Sequence, residues 1–144
     1  MRVVVQKSLE ASCKVDGEEI GKIEKGLVLL TGFTEGDTIE TIEWMVRKVL
    51  NLRIFEDDSG IMNLSLLDVG GEILSISQFT LYADTRKGNR PSYIQALNGK
   101  EAEKLYHIWN QKLSEFVNVS TGKFGADMKI GLVNDGPVTI LLER

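Results

Sequence analysis

The chain has 144 residues, 42% of them apolar and 26% charged, with a formal net charge of -4. Those proportions suit one domain over residues 1–144 with a sizeable core, and argue against indiscriminate nucleic-acid binding through a broadly basic surface. The lone cysteine, Cys13, cannot form an internal disulfide; a reducing compartment follows, and a cytoplasmic location is expected.

The β-branched run Arg2 to Lys7 reads as a strand. It is too short in apolar length for a signal peptide and too soon interrupted for a membrane span, so no membrane association is expected. Ser12 to Gly21 reads as a hairpin around Asp16-Gly17, a pair that tolerates positive φ. Gly26 to Phe33 is nearly all apolar, as a strand covered on both faces should be. The period then changes. Asp37, with Glu40 three residues on, predicts a helix cap, and Ile39, Ile42, Val46 and Val49 recur at helical spacing over about Thr38 to Leu50.

Arg53 to Phe55 and Met62 to Leu64 are short strand candidates flanking an Asp57-Asp58-Ser59-Gly60 turn. Gly71 to Tyr82 reads as one longer strand, which would place Gln78 and Thr80 on one face and Ser77, Phe79 and Leu81 on the other. Asn98 predicts the cap of a second helix, with Ala102, Leu105, Trp109, Leu113 and Phe116 along one side. Val117 to Thr121, Lys129 to Asn134 and Val138 to Leu142 close the chain as strands. The expected class is α/β: a mixed, partly barrel-like β-sheet with two main helices packed on one side.

Much chemistry is excluded. With a single histidine, His107, set on the second helix, and a single cysteine, neither a zinc site nor a Ser-His-Asp or Cys-His relay is expected. No glycine-rich phosphate loop is present, and no cofactor or metal is expected. Cys13 reads as structural and Glu56-Asp57-Asp58 as a solvated turn.

Three stretches carry more. Ser77 to Tyr82 is either an amphipathic strand with a polar outer face or a strand end offering backbone N–H groups as an oxyanion hole, with Thr80 in the pocket. Asn134 to Thr139 places Gly136 before Pro137. That is a turn-forming string, but also the one common setting for a cis peptide, found at about 5% of X-Pro bonds. Thr85 to Arg90 is either a solvated loop or a phosphate contact made by Arg86, Lys87 and Arg90.

The first two stretches resemble the signature motifs of the D-aminoacyl-tRNA deacylases, in that family's order and approximate positions. Further matches run along the chain at Arg53-Ile54-Phe55, Met62-Asn63-Leu64, Arg90-Pro91-Ser92 and Thr121 to Met128. The resemblance implies a homodimeric esterase that releases D-amino acids from the 3' end of tRNA, with active sites at the dimer interface. It implies catalytic roles for Thr80, Gln78 and Phe79, and substrate contacts from Ser77, Gly136, Pro137, Asn134 and Lys7. Arg86, Lys87 and Arg90 would contact the tRNA.

Gly136-Pro137 would be cis and would enter the partner subunit's pocket. There it would bind the substrate's α-ammonium group and block an L side chain. Glycine has no side chain to block, so glycyl-tRNA, including glycine mischarged on tRNA(Ala), should also be cleaved. For the chemical step, Thr80 as nucleophile would need an activating base, and none is evident. The preferred scheme gives proton handling to the terminal ribose 2'-OH and a positioning role to Thr80. One departure is Lys7 after Gln6, where the family commonly has arginine; lysine lacks the planar fork. The alternatives are a non-catalytic RNA-binding module and a structural dimer. The net charge weighs against the first, and neither accounts for both motifs.

Overall fold

The computed structural model describes residues 1–144. In chain order it contains β1 (Arg2–Val15), β2 (Glu18–Ile23), β3 (Gly26–Gly32), α1 (Ile39–Leu50), β4 (Phe55–Glu56) and β5 (Met62–Leu64). There follow β6 (Glu72–Ser77), a 3-10 turn (Phe79–Tyr82), α2 (Gly99–Ser114), β7 (Val119–Thr121) and β8 (Lys129–Glu143). No helix is long and apolar enough to cross a membrane.

The expected hairpin forms at Asp16 and Gly17, whose φ values of 52° and 85° are the pair a tight hairpin turn demands. β1 runs on beyond the predicted segment and organises the sheet. Its first half pairs antiparallel with β3, from Arg2↔Gly32 to Ser8↔Gly26. Its second half pairs with β2, and β8 runs along its other edge. β3, β6 and β7 are parallel neighbours, so the sheet is mixed.

The sheet curls until its ends meet: Ser120 Oγ on β7 donates to the Lys22 carbonyl on β2 at 2.8 Å. Gly21 permits this approach, because a Cβ there would lie 3.0 Å from the Thr121 carbonyl oxygen. The result is the nearly closed, barrel-like sheet expected.

Both faces of the sheet are covered. Val3, Val5, Leu27, Leu29 and Ile73 point toward the helices and pack with Ile42, Met45, Trp109 and Leu113. Ala11, Cys13, Ile23, Val28, Leu74 and Ile76 fill the inside of the curl. Adjacent β3 residues thus enter opposite cores, which is why that strand is apolar throughout.

Three expectations need correction. The cap of α1 is Thr38, in a reciprocal capping box with Thr41. Asp37 is drawn away by the Met1 ammonium at 2.6 Å and by the Thr34 N–H; Ile39 is exposed. Secondly, the strand read as Gly71 to Tyr82 ends at Ser77. Gln78 N–H makes a last ladder bond to the Thr31 carbonyl at 2.7 Å, and the chain then winds into the 3-10 turn. Gly32 allows the turn to close down, since a Cβ at that position would sit 2.8 Å from the Gln78 carbonyl oxygen.

Thirdly, Asn134 to Thr139 does not reverse the chain between two strands. It lies within the single strand β8. Between the pairs Ser8↔Asn134 and Gln6↔Thr139, β8 advances five residues while β1 advances two, so the intervening residues are pushed out of the ladder. Gly136-Pro137 is at that bulge, and its peptide bond is cis.

Candidate active site

A cavity of ≈ 630 Å³ opens where β3 and β6 end. Thr31, Gly32 and Phe33 form one wall, and Ser77, Gln78 and Phe79 another. The first residues of α2 and the segment Phe124 to Met128 complete it. Asn98 fixes the helix end by accepting from the Glu101 N–H at 3.2 Å.

The 3-10 turn supplies donors. The first N–H groups of any helical turn lack an intrahelical acceptor, and Gln78, at the cap, gives no side-chain hydrogen bond to them. The amide of Phe79, a residue of the cavity wall, and the Thr80 amide next to it in the chain are therefore free of a side-chain cap. The Gln78 side-chain amide instead donates to Thr80 Oγ1. Thr80 itself does not line the cavity.

The turn is held from behind. Arg2 Nη1 donates to the Leu81 carbonyl at 2.9 Å, and the same guanidinium lies 4.6 Å from the centre of the Tyr82 ring. Burial, with Asp37 nearby, pushes the Tyr82 phenol up to about 12.

The sequence alone assigns no role to several of the cavity residues. Thr31 Oγ1 is buried without a hydrogen-bond partner. Tyr93 meets Phe79 edge-on at 5.1 Å between ring centres, a favoured aromatic geometry. Phe124 and Met128 fall in a stretch that carried the family resemblance without an assigned task. Thr31 and Tyr93 had no local signal, because their neighbours in space are distant in sequence.

The second motif forms its own cluster. Lys7, 3% exposed, lies 2.9 Å from Asp135 Oδ2 and 3.7 Å from Glu56 Oε1. Asn134 Oδ1 accepts from the Val138 N–H at 3.2 Å, and Asn134 Nδ2 donates to Thr139 Oγ1 at 2.8 Å. These bonds close the bulge across its base and leave Gly136 and Pro137 exposed at its tip. Neither residue lines the cavity of its own chain. The structure therefore brings Ser77, Gln78 and Phe79 together, and separately Lys7, Asn134, Gly136 and Pro137.

The cationic loop is mixed. Asp84 takes both the Nε and the Nη2 of Arg86, at 2.9 and 2.7 Å, which holds the Asp84 carboxyl down at about 2. Lys87 and Arg90 are exposed and form no ion pair. His107 is likewise on the surface, and burial raises the Cys13 thiol.

A nearly closed mixed sheet, a cleft at the parallel strand ends and uncapped amides on a tight turn are the features by which this fold can be compared with known proteins. Residues 4–143 match the family model described as D-Tyr-tRNA(Tyr) deacylase. A D-aminoacyl-tRNA deacylase of Clostridium acetobutylicum is 55% identical over 99% of this chain and 97% of its own length. One from Brevibacillus brevis is 54% identical over 99% of both chains.

Among solved structures, a c-Myc DNA unwinding element binding protein superposes with a TM-score of 0.95 at 43% identity, covering 100% of this chain and 99% of that one. A probable eukaryotic D-amino acid tRNA deacylase gives 0.85 at 17% identity, covering 98% and 97%, a likeness of fold alone. The chain belongs to the D-Tyr-tRNA(Tyr) deacylase family. It is a D-aminoacyl-tRNA deacylase, a hydrolase of carboxylic esters.

Proposed function

We propose that the cleft bounded by Ser77, Gln78 and Phe79 receives the aminoacylated 3' end of a D-aminoacyl-tRNA, and that the Phe79 and Thr80 amides stabilise the oxyanion formed on ester cleavage. The observation that carries this reading is the uncapped Phe79 amide on the wall of the cavity, with the uncapped Thr80 amide beside it in the same turn. Such donors are worth about 3 kcal/mol each to the transition state. A water oxygen bonds to the acyl carbon, the bond to the ribose 3'-oxygen breaks, and the proton passes to that oxygen by way of the neighbouring 2'-OH. Thr80 orients Gln78 and does not attack, since its hydroxyl is engaged by the Gln78 amide and no base lies beside it.

The working unit in this proposal is a homodimer. Gly136 and Pro137 stand away from their own chain's cavity, on a strand that also exposes Val133 and Leu141, 55% and 59% accessible. Inserted into the partner's cleft, their carbonyls would accept from the α-ammonium group and their backbone would wall off an L side chain. With amino group, ester carbonyl and α-hydrogen fixed, the two enantiomers project their side chains in opposite directions. A clash or an unpaired polar group discriminates more strongly than the roughly 1–3 kcal/mol of a missing methylene.

Glycine escapes such a wall, so glycyl-tRNA, including glycine on tRNA(Ala), is a second substrate in this reading. Arg86, Lys87 and Arg90 meet the RNA, and the setting is the cytoplasm.

The test is deacylation of D-tyrosyl-tRNA, L-tyrosyl-tRNA and glycyl-tRNA(Ala) by the purified protein. Loss of the D and glycyl esters with survival of the L ester is expected. Equal loss of D and L esters would remove the chiral wall, and survival of all three would remove the site assignment.

A further inference from the structure

The face of α1 remote from the sheet carries a cationic surface that the ester site does not use. Trp44 lies between two cations: Lys48 Nζ is 5.4 Å and the Arg144 guanidinium 5.0 Å from its ring centre. Beside it a concavity of ≈ 340 Å³ is lined by Trp44, Arg47, Lys48, Asn51, Leu52 and Arg53. None of Arg47, Lys48, Arg53 and Arg144 forms an ion pair; what sets them apart from the other unpaired cations is their grouping around Trp44 and the hollow beside it.

The neighbouring carboxylates are engaged. Glu43 holds Lys112 at 2.7 Å, Glu143 holds Arg2 at 2.9 Å, and Asp68 accepts from Ser65 N and Oγ. Arg53 donates only to Asn63; the Ser65 hydrogen bonds lower the Asp68 carboxyl most, and the Arg53 charge is the smallest of the influences that lower it.

Cations in the last turn of a helix complement its dipole, which accounts for Arg47 and Lys48. It does not account for Arg53, beyond the helix, or for Arg144, delivered from the other end of the chain by the Arg144 N–H bond to the Met1 carbonyl at 3.0 Å. In a chain of net charge -4, two cations at one aromatic ring and two more lining the hollow beside it form a local anion-attracting surface.

A chain of contacts links this surface to the 3-10 turn of the ester site. Arg2 binds the Leu81 carbonyl of the 3-10 turn and pairs with Glu143; the next residue, Arg144, covers Trp44. From Trp44 to Asn51 the helix rises about 10 Å, the span of about three nucleotides along one strand.

We propose that this face of α1 binds the sugar–phosphate backbone of the tRNA substrate, away from its aminoacylated end. The proposal rests on the deacylase reading for the identity of the RNA. Lys48 and Arg144 are held in place by Trp44, and Arg47 and Arg53 line the hollow beside them, so that a phosphate meets cations already oriented. Contacts of this kind position a nucleic acid without reading its sequence.

The test compares wild type with the double variant Arg47→Glu/Lys48→Glu, both positions being exposed. A second variant, Lys14→Glu/Lys129→Glu, makes the same change of net charge at cross-strand neighbours far along β1. Substrates are D-tyrosyl-tRNA and D-tyrosine esterified to adenosine alone; binding of uncharged tRNA is measured in parallel at several salt concentrations.

The α1 variant should raise KM for the tRNA ester and Kd for uncharged tRNA by about tenfold or more. It should also flatten the salt slope of binding by about 1.4–1.8, the loss of two phosphate contacts. Turnover of the adenosine ester should stay at the wild-type value, which also certifies the fold. Unchanged Kd and salt slope would overturn the proposal, as would an equal effect of the Lys14/Lys129 reversal. If the wild type cleaves neither ester, the deacylase reading falls, while the binding comparison still decides the surface.

Discussion

Lys7 Nζ lies 2.9 Å from Asp135 Oδ2, but the two side chains are buried unequally, at 3% and 36% exposure. The pair ties β1 to the residue just before Gly136. Its asymmetry sets the sign of two substitutions. Removing Asp135 leaves an ammonium deep in the protein with Glu56 at 3.7 Å and the Phe55 ring at 5.9 Å. Losing one partner of a buried pair costs about 3–5 kcal/mol. Removing Lys7 leaves a carboxylate that water can reach. Asp135→Asn should therefore lower stability by more than Lys7→Met, toward the lower end of that range. Urea unfolding of the two variants decides it, and a larger loss in Lys7→Met would show that the tether is not what holds the ammonium.

What could be seen in the sequence follows a physical line. The cap at Asn98 and most of the buried positions of both helices are local and legible from spacing; Ile39 and Phe116, expected on the two apolar stripes, are instead exposed, Phe116 lying past the end of α2. The cap of α1 is not legible locally, because Asp37 is claimed by the ammonium of Met1, 36 residues away. The end of β6 depends on the close approach to Gly32, and the continuity of β8 depends on its register with β1. No window of neighbouring residues contains either fact.

The site divides the same way. Ser77, Gln78 and Phe79 came from one contiguous motif and do line the cavity. Thr31, Tyr93 and Phe124 reach the same cavity from three other elements. Thr80, which belongs to the motif, is turned toward Gln78 instead, because the chain leaves the strand before reaching it.

Gly136 offers a test of the bulge. Its φ is +120°, and a Cβ there would stand 2.8 Å from Val138 Cγ2. Valine is stiff at χ1 and cannot swing aside. Backbone strain of this kind costs about 1–3 kcal/mol. Gly136→Ala should fold with a lowered Tm and cleave the D ester more slowly, with discrimination against the L ester weakened. An unchanged Tm and unchanged selectivity would mean that the bulge does not need its glycine.

Asp84 gives a pH prediction with a definite sign. The Arg86 side chain, and then its backbone N–H, lower this carboxyl from 3.8 to about 2. A lowered pKa in the ordered loop means that the pairing contributes fully above the unperturbed value and is lost as pH falls from 3.8 toward about 2. Both groups are solvent-facing, so the effect is local to the loop that starts at Thr85. NMR titration of the Asp84 carboxyl carbon should give a midpoint near 2 in the wild type. In Arg86→Ala the midpoint should return toward 3.8. Coincident titrations would show that the pair does not persist in solution.

Asn98 tests how far the cavity depends on the end of α2. Its side chain accepts from the Glu101 N–H, and replacing an asparagine cap by alanine costs about 1 kcal/mol. Because Asn98, Gly99 and Ala102 line the cleft, fraying of this turn should be felt by substrate as well as by the fold. Asn98→Ala should raise KM for the D ester with a smaller change in kcat. A loss confined to kcat would place the asparagine in the chemical step.

Thr80 separates the two chemical schemes most directly. Its hydroxyl accepts from the Gln78 side chain, it does not line the cavity, and the sole histidine is on the surface of α2, its side chain 71% exposed. A hydroxyl without a base is a poor nucleophile at neutral pH. Where a hydroxyl does serve as nucleophile, its removal costs about a millionfold in kcat. Thr80→Ala should instead cost about tenfold, by freeing the Gln78 amide and loosening the turn that presents the Phe79 and Thr80 amides. Thr80→Ser keeps the acceptor and should recover most of that loss. Single-turnover deacylation of D-tyrosyl-tRNA measures both variants. A loss of four orders of magnitude or more in Thr80→Ala, with trapping of an acyl-threonine in the wild type, would reinstate the covalent route. A near-normal rate leaves the proton with the 2'-OH of the substrate, and predicts that a 2'-deoxy terminal adenosine abolishes cleavage in wild type and variant alike.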